Sequence, residues 1–343
     1  MFKDEKRRKF GAAFLLTVLL IIMIIVSLTF GRYGIPLDKI LEVLGQQIRG
    51  QITAENVQVA SVLFVIRIPR ILLAAMAGAA LAASGAAYQG MFRNPMVSPD
   101  ILGVSSGAAV GAALGLLFEM PSALVHLISF LFGVAAVLLV MFLAKVIGKG
   151  SGTLVIMVLS GTVISSVFSS ITSLIKYVAD TEEKLPEITF WLMGSFARSS
   201  SYANMIMMGI GLLVGGGILM LLRWKINGMA FGEDEAKALG INTARVRMAV
   251  ILSSTLLTAM TVCICGTIGW VGLIIPHISR LLVGPNYKSL MPISMLGGAC
   301  FMLLVDNVAR SIIPGELPIS ILTSMIGAPL FIYMLFKGRR DWL

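Results

Sequence analysis

Charge is what this sequence has least of: 13% of its 343 residues are Asp, Glu, Lys or Arg, about half the share found in an ordinary soluble domain. Too few charges remain to cover a water-facing surface, and 57% of the residues are hydrophobic, so the chain reads as an all-α polytopic membrane protein. Histidine occurs twice, and His277 has no second His, Cys or carboxylate at ligand spacing, so it reads as a packed residue rather than a metal ligand. The three cysteines fall in apolar segments, and Cys263-Ile-Cys265 lacks the two-residue spacer of a redox or zinc pair. They read as small core residues. No metal or cofactor is implied.

Catalytic and nucleotide motifs are missing too. There is no H-E-x-x-H and there are no paired catalytic carboxylates, which argues against an enzyme. There is no G-x-x-x-x-G-K-[ST] either, so this polypeptide cannot cradle ATP on a P-loop. Ionisable residues inside the apolar segments are scarce, which weakens the case for a proton- or ion-coupled secondary transporter. Hydropathy alone still leaves a transporter or channel as an alternative. The formal charge of +10 lacks the basic face and aromatic interleaving of a nucleic-acid binder and follows the positive-inside rule instead.

Apolar stretches long enough to span a bilayer fall at about 11–30, 71–91, 101–118, 122–145, 153–176, 203–222, 246–265, 268–284, 290–309 and 318–336. The number, ten, puts both ends on one side. About 18 of the 27 lysines and arginines fall on that side, which predicts cytoplasmic termini. The first span follows a basic start and is too long for a signal h-region, so it is expected to be retained. Segments 101–118 and 268–284 are short and Gly-rich, expected to be tilted or broken.

The 31–66 loop holds an amphipathic helical stretch, P-L-D-K-I-L-E-V-L-G-Q-Q-I. At its end R-I-P-R sets Arg67 and Arg70 as two forks at the membrane edge, either a docking pair or an interfacial anchor. Asp306 and Arg310 stand at i,i+4, which predicts an ion pair. Trp191 reads as an aromatic anchor. The 153–176 span carries S-G-T-V-I-S-S, including Ser160, Thr162, Ser165 and Ser166, read either as back-bonded hydroxyls or as a weakly polar pathway lining. The polar run Arg223–Arg247 is expected to fold into small helices. Within it Glu233–Leu239, including Glu235 and Ala236, is preceded by Gly232 and stopped by Gly240, with acids first and Lys237 late. It reads as a docking helix, in place of a solvated connector.

Several separate stretches, in order, resemble one family: R-I-P-R-I-L-L-A, F-R-N-P-M-V-S-P-D-I-L-G-V-S-S-G-A, F-W-L-M-G-S-F, G-E-D-E-A-K-A-L-G-I-N, I-G-W-V-G-L-I-I-P-H-I-S-R and G-E-L-P-I-S-I-L-T-S-M-I-G-A-P-L-F. They look like the FecCD-type permeases of ABC importers for iron-siderophores, haem and cobalamin, from about residue 60 to the C-terminus. The resemblance implies a single 1–343 permease domain of type II ABC importer architecture in a bacterial or archaeal cytoplasmic membrane. It also implies a second permease subunit, two cytoplasmic ATPases and an extracytoplasmic binding protein. By position it implies that Gly232 to Gly240 couple to the ATPase and that Arg67, Arg70 and Arg310 meet the binding protein as one patch. Asn94, Pro95 and Met96 fall in the cytoplasmic turn that closes the pathway, and Ser160 to Ser166 on its wall. The expected solute is an iron-siderophore, with haem or cobalamin behind it.

Overall fold

A computed structural model describes residues 2–31, 33–148, 153–313 and 315–338, and every regular element among them is helical. The first, α1 (Phe2–Thr29), lies at the periphery with Phe10, Phe14 and Leu15 exposed. The amphipathic α2 (Leu37–Ile48) buries Ile40 and Val43, as its period predicts. A short α3 (Val57–Ser61) passes through a π-helical turn at Val62–Arg67 into α4 (Ile68–Met91). Pro69 sits in the first turn of α4, where a missing N–H costs little.

Helix α4 is the axis of the molecule. Its Ala, Gly and Ser side chains are too small to fill a lipid-facing surface, and they let neighbouring backbones approach closely. A Cβ on Gly78 would lie 2.1 Å from the carbonyl oxygen of Gly298, and one on Gly85 1.7 Å from that of Gly272.

The chain continues through α5 (Val104–Leu117), α6 (Ser122–Ile147), α7 (Thr153–Val178) and α8 (Lys184–Leu192). Next come α9 (Tyr202–Gly211) and α10 (Gly217–Phe231), joined by a π-helical turn at Leu212–Gly216 into one continuous rod. The single-turn α11 (Glu233–Ala238) precedes α12 (Thr243–Cys265), α13 (Val271–Val283), α14 (Tyr287–Ala309) and α15 (Ile319–Gly338). Helices α4, α12 and α14 are the buried ones, and α9, α10, α12, α13 and α14 pack on α4.

The ten expected spans are all helical. Seven are long and apolar enough to cross a membrane, and α5, α13 and Ile319–Met334 are shorter apolar helices. Before α13 the backbone is irregular from Gly266 to Gly269, and Trp270 has φ 71°, the expected break. Two expectations need correcting. The run from Arg223 does not start small helices: α10 carries on to Phe231, because Arg, Trp, Lys and Ile are tolerated helix residues and the chain turns only at Gly232. Trp191 is no interfacial anchor. It is buried against Ala108, Ala112, Val125 and Val262.

Candidate functional site

At one end of the bundle the three predicted arginines converge around Gly31. A Cβ there would meet Arg67 Nη2 at 2.9 Å and Arg310 Nη1 at 3.5 Å. Arg67 donates to the carbonyls of Leu28 and Thr29 in the last turn of α1, where carbonyls lack intrahelical partners, and to that of Tyr33 beyond it. Arg70 donates to both oxygens of Asp306, at 2.7 Å from Nη2 and 2.9 and 3.1 Å from Nε. Its Nη1 and Nη2 reach the Glu316 carboxylate at 2.9 and 3.1 Å. Arg310 donates to the carbonyl of Ser27 at 2.8 Å and to Asn307 Oδ1.

The convergence was expected, but the exposure was not. Arg67, Arg70 and Arg310 are 4%, 5% and 8% exposed, so they are not forks at a wet rim. Each points inward because carbonyls and carboxylates of the same chain lie there, and a buried guanidinium needs such partners. The expected i,i+4 pair is also secondary. Arg310 Nε stands 4.0 Å from Asp306 Oδ2, whereas Arg70 holds Asp306 at 2.7 Å. Glu316 is the outermost carboxylate of the group, its side chain 29% exposed, and its backbone is left-handed at φ 57°.

At the opposite end α11 is held as a preset turn. Gly232 has φ 147°, and a Cβ there would lie 2.0 Å from Glu235 Oε2, so only glycine fits before this helix. At its end Gly240 is left-handed at φ 74°. Ile241 N–H bonds to the Ala236 carbonyl and Gly240 N–H to that of Lys237, both at 2.9 Å, the paired bonds of a Schellman stop. Glu233 forms an ion pair with Arg247 at the start of α12. Asn227 accepts from Tyr287 N–H at 2.8 Å and donates to Asn286 at 3.0 Å, fastening α10 to α14.

Within this turn Ala236 is fully buried, which corrects its assignment as a partner-facing anchor. It underlies the Schellman stop with Ile241, which is also buried. Glu233, Glu235 and Leu239 are exposed, Leu239 at 58%, and so is Phe231 at 75%. Phe231 was missed in the sequence because it falls before the glycine that marks the helix start.

Next to α4 at this end, Asn94 Oδ1 accepts from Met96 N–H at 2.9 Å, and Asn94 N–H bonds back to Gln89 at 3.2 Å. Asn94 is exposed and Pro95 and Met96 are half-buried. Buried Gln89 donates to the Leu273 carbonyl at 3.1 Å and accepts from Arg280 at 3.0 Å, tying α4 to α13. Helix α7 divides its hydroxyls between two faces. Ser160 is buried and Ser165 half-buried towards Gly103, while Thr162 and Ser166 are exposed. Thr162, Ser166 and Ser170 each donate to the carbonyl four residues earlier, at 3.0–3.1 Å. The four do not form one wall: Thr162 and Ser166 present acceptor oxygens outward, and Ser160 and Ser165 serve packing.

Residues 19–337 match the profile of the FecCD transport family. The chain is 46% identical over 327 residues to the molybdate import system permease protein MolB of Haemophilus influenzae, covering 95% of each chain. It is 37% identical over 320 residues to a probable iron chelatin transport system permease protein of Helicobacter pylori, covering 93% of this chain and 96% of that one. A solved metal-chelate type ABC transporter in an inward-facing conformation shares the fold with a TM-score of 0.82 at 43% identity, covering 96% of this chain and 99% of that one.

Proposed function

Because the chain belongs to the FecCD transport family and is a multi-pass ABC importer permease, we propose that it carries a transition metal held in an oxygen-coordinated anionic form. The 46% identity to a molybdate permease, against 37% to an iron-chelate permease, favours a metal oxyanion over the iron-siderophore expected from sequence motifs. The carrying observation in the structure is the exposed face of α7. Its row of Thr162, Ser166 and Ser170 offers polarity without charge, suited to passing a solvated anion without retaining it. Two copies of this face, one from a second permease subunit, would enclose the pathway, and the turn at Asn94, Pro95 and Met96 would close it.

In this reading the termini and α11 face the cytoplasm, where α11 engages an ATPase chain. Leu239 and Phe231 are its apolar contacts and Glu235 a polar one, with Ala236, Gly232 and Gly240 holding the shape. The arginine end faces outwards. An extracytoplasmic binding protein would present carboxylates to the group formed by Arg67, Arg70 and Arg310, displacing Glu316, the outermost and most weakly held acid.

The test is uptake into proteoliposomes containing this permease, the ATPase and the binding protein. Molybdate should accumulate only with ATP on the ATPase side, and a pH gradient alone should move nothing. Accumulation of a ferric siderophore with no competition by molybdate would replace the oxyanion with the chelate. Uptake on a pH gradient without ATP would overturn the importer reading altogether.

A further inference from the structure

Helices α6 and α9 both pack on α12 and leave a groove between them at the arginine end. The groove has two contiguous parts that share His126 and Asn204. The upper, of about 480 Å³, is lined by His126, Glu187, Arg198, Ser122, Ser201 and Asn204. The lower, of about 490 Å³, is apolar, with Leu127, Phe130, Met207 and Met260. Polar and apolar halves in sequence match an amphiphile rather than a small polar solute.

The upper part carries one guanidinium and one carboxylate, Arg198 and Glu187. Arg198 donates at 3.4 Å to the carbonyl of Trp191 and forms no ion pair among the described residues. Glu187 stands 3.8 Å from Lys184, which Glu119 also holds at 3.1 Å. The N-termini of α6 and α9 open onto the same space through Ser122 and Ser201, adding partial positive charge. A guanidinium fork with no carboxylate within ion-pair distance, sharing its space with an imidazole, has donors left for a phosphate.

From this arrangement we infer that the groove between α6 and α9 is a binding site for an anionic phospholipid, its phosphate at Arg198 and His126 and one acyl chain along Leu127, Phe130, Met207 and Met260. The end of the bundle is where a headgroup would lie, and the apolar limb descends from it along the membrane-spanning length. The inference requires only that the protein spans a membrane and is independent of the solute it moves.

Native mass spectrometry of the delipidated full chain tests it, with titrations of phosphatidylglycerol, diacylglycerol, glycerol 3-phosphate and inorganic phosphate. Phosphatidylglycerol should give a saturable single adduct, about tenfold tighter than diacylglycerol, with neither phosphate probe competing. Arg198→Gln should lower its affinity about tenfold, and Met207→Trp, which fills the apolar limb and leaves Arg198 intact, should abolish the adduct. Should Arg198→Gln fail to fold, Met207→Trp and a photo-crosslink from the acyl chain to Met260 decide alone. Equal lipid binding by parent and variants, or a crosslink elsewhere, overturns the proposal. Competition by inorganic phosphate also overturns it, assigning the groove to a free oxyanion.

Discussion

Arg70 and Asp306, 236 residues apart in the chain, form a buried two-pronged ion pair with contacts of 2.7 and 2.9 Å. It joins the first turns of α4 to the last turn of α14, so the central helix is fixed to its largest neighbour by charge as well as by packing. Removing either partner leaves the other buried without its nearest counter-charge, at a cost of about 3–5 kcal/mol.

Arg70→Ala and Asp306→Ala should each lower the unfolding temperature sharply, whereas the double change Arg70→Met with Asp306→Leu should restore much of it. The free, buried Cys263, Cys265 and Cys300 supply the readout, since a thiol-reactive dye labels them on unfolding. Single variants as stable as the parent would show that the pair adds nothing structural.

Ala236 and Leu239 should part company. Ala236→Leu overfills a closed site and should cost about 1–3 kcal/mol of stability. Leu239→Glu changes an exposed side chain and should leave folding intact while weakening ATPase association by about 1.5–3 kcal/mol. Folded yield and co-purification of the ATPase separate the two effects, and an unchanged ATPase yield for Leu239→Glu would remove α11 as the contact.

Glycine-to-alanine changes should have opposite signs at two helical positions. Gly78→Ala drives a methyl into the backbone of α14 and should destabilise by about 1–3 kcal/mol or more. Gly45→Ala in α2 meets nothing within 4 Å and should stabilise by up to about 1 kcal/mol. Thermal unfolding of both variants checks this, and equal effects would mean the α4–α14 approach is looser than described.

Acidification should loosen α2. The Glu42 carboxyl is held below its ordinary range, first by the hydrogen bond from Asn56 and then by that from Lys39, and the Asn56 contact is 2.7 Å. A depressed carboxylate stabilises the fold above the ordinary glutamate range, and that contribution is lost as pH falls through the lower, folded value. Amide exchange in 37–48 should therefore rise in acid, and Glu42→Gln should flatten the dependence. Exchange that does not change with pH would disconnect Glu42 from the anchoring of α2.

Much of this was legible in the sequence where the signal is local. The two glycines around α11 declare a start and a stop, and the alternation of spans brings Arg67, Arg70 and Arg310 to one end. Burial was not legible. Nothing near R-I-P-R announces Glu316, 246 residues away, and a helix of six residues has too few turns to show that Ala236 faces in. The hydroxyls of α7 fall on two faces because their spacings of two, three and one residues follow no helical period. The convergence of His126 in α6 with Arg198 in the turn between α8 and α9 left no trace in either segment.

The glycine contacts along α4 also govern how the molecule can move. Where backbone meets backbone, no layer of side chains is available to shear, and a slip of one residue, about 1.5 Å, would put an alanine methyl of α4 where only a hydrogen fits. Helices α4, α13 and α14 therefore cannot slide past one another at these contacts. Any alternation between open and closed forms has to be taken up where the hydrogen-bond ladder is already interrupted. Such joints include the π-helical turns at Val62–Arg67 and Leu212–Gly216, the irregular backbone from Gly266 to Gly269, and Pro276 and Pro292, which have no N–H to donate inside α13 and α14.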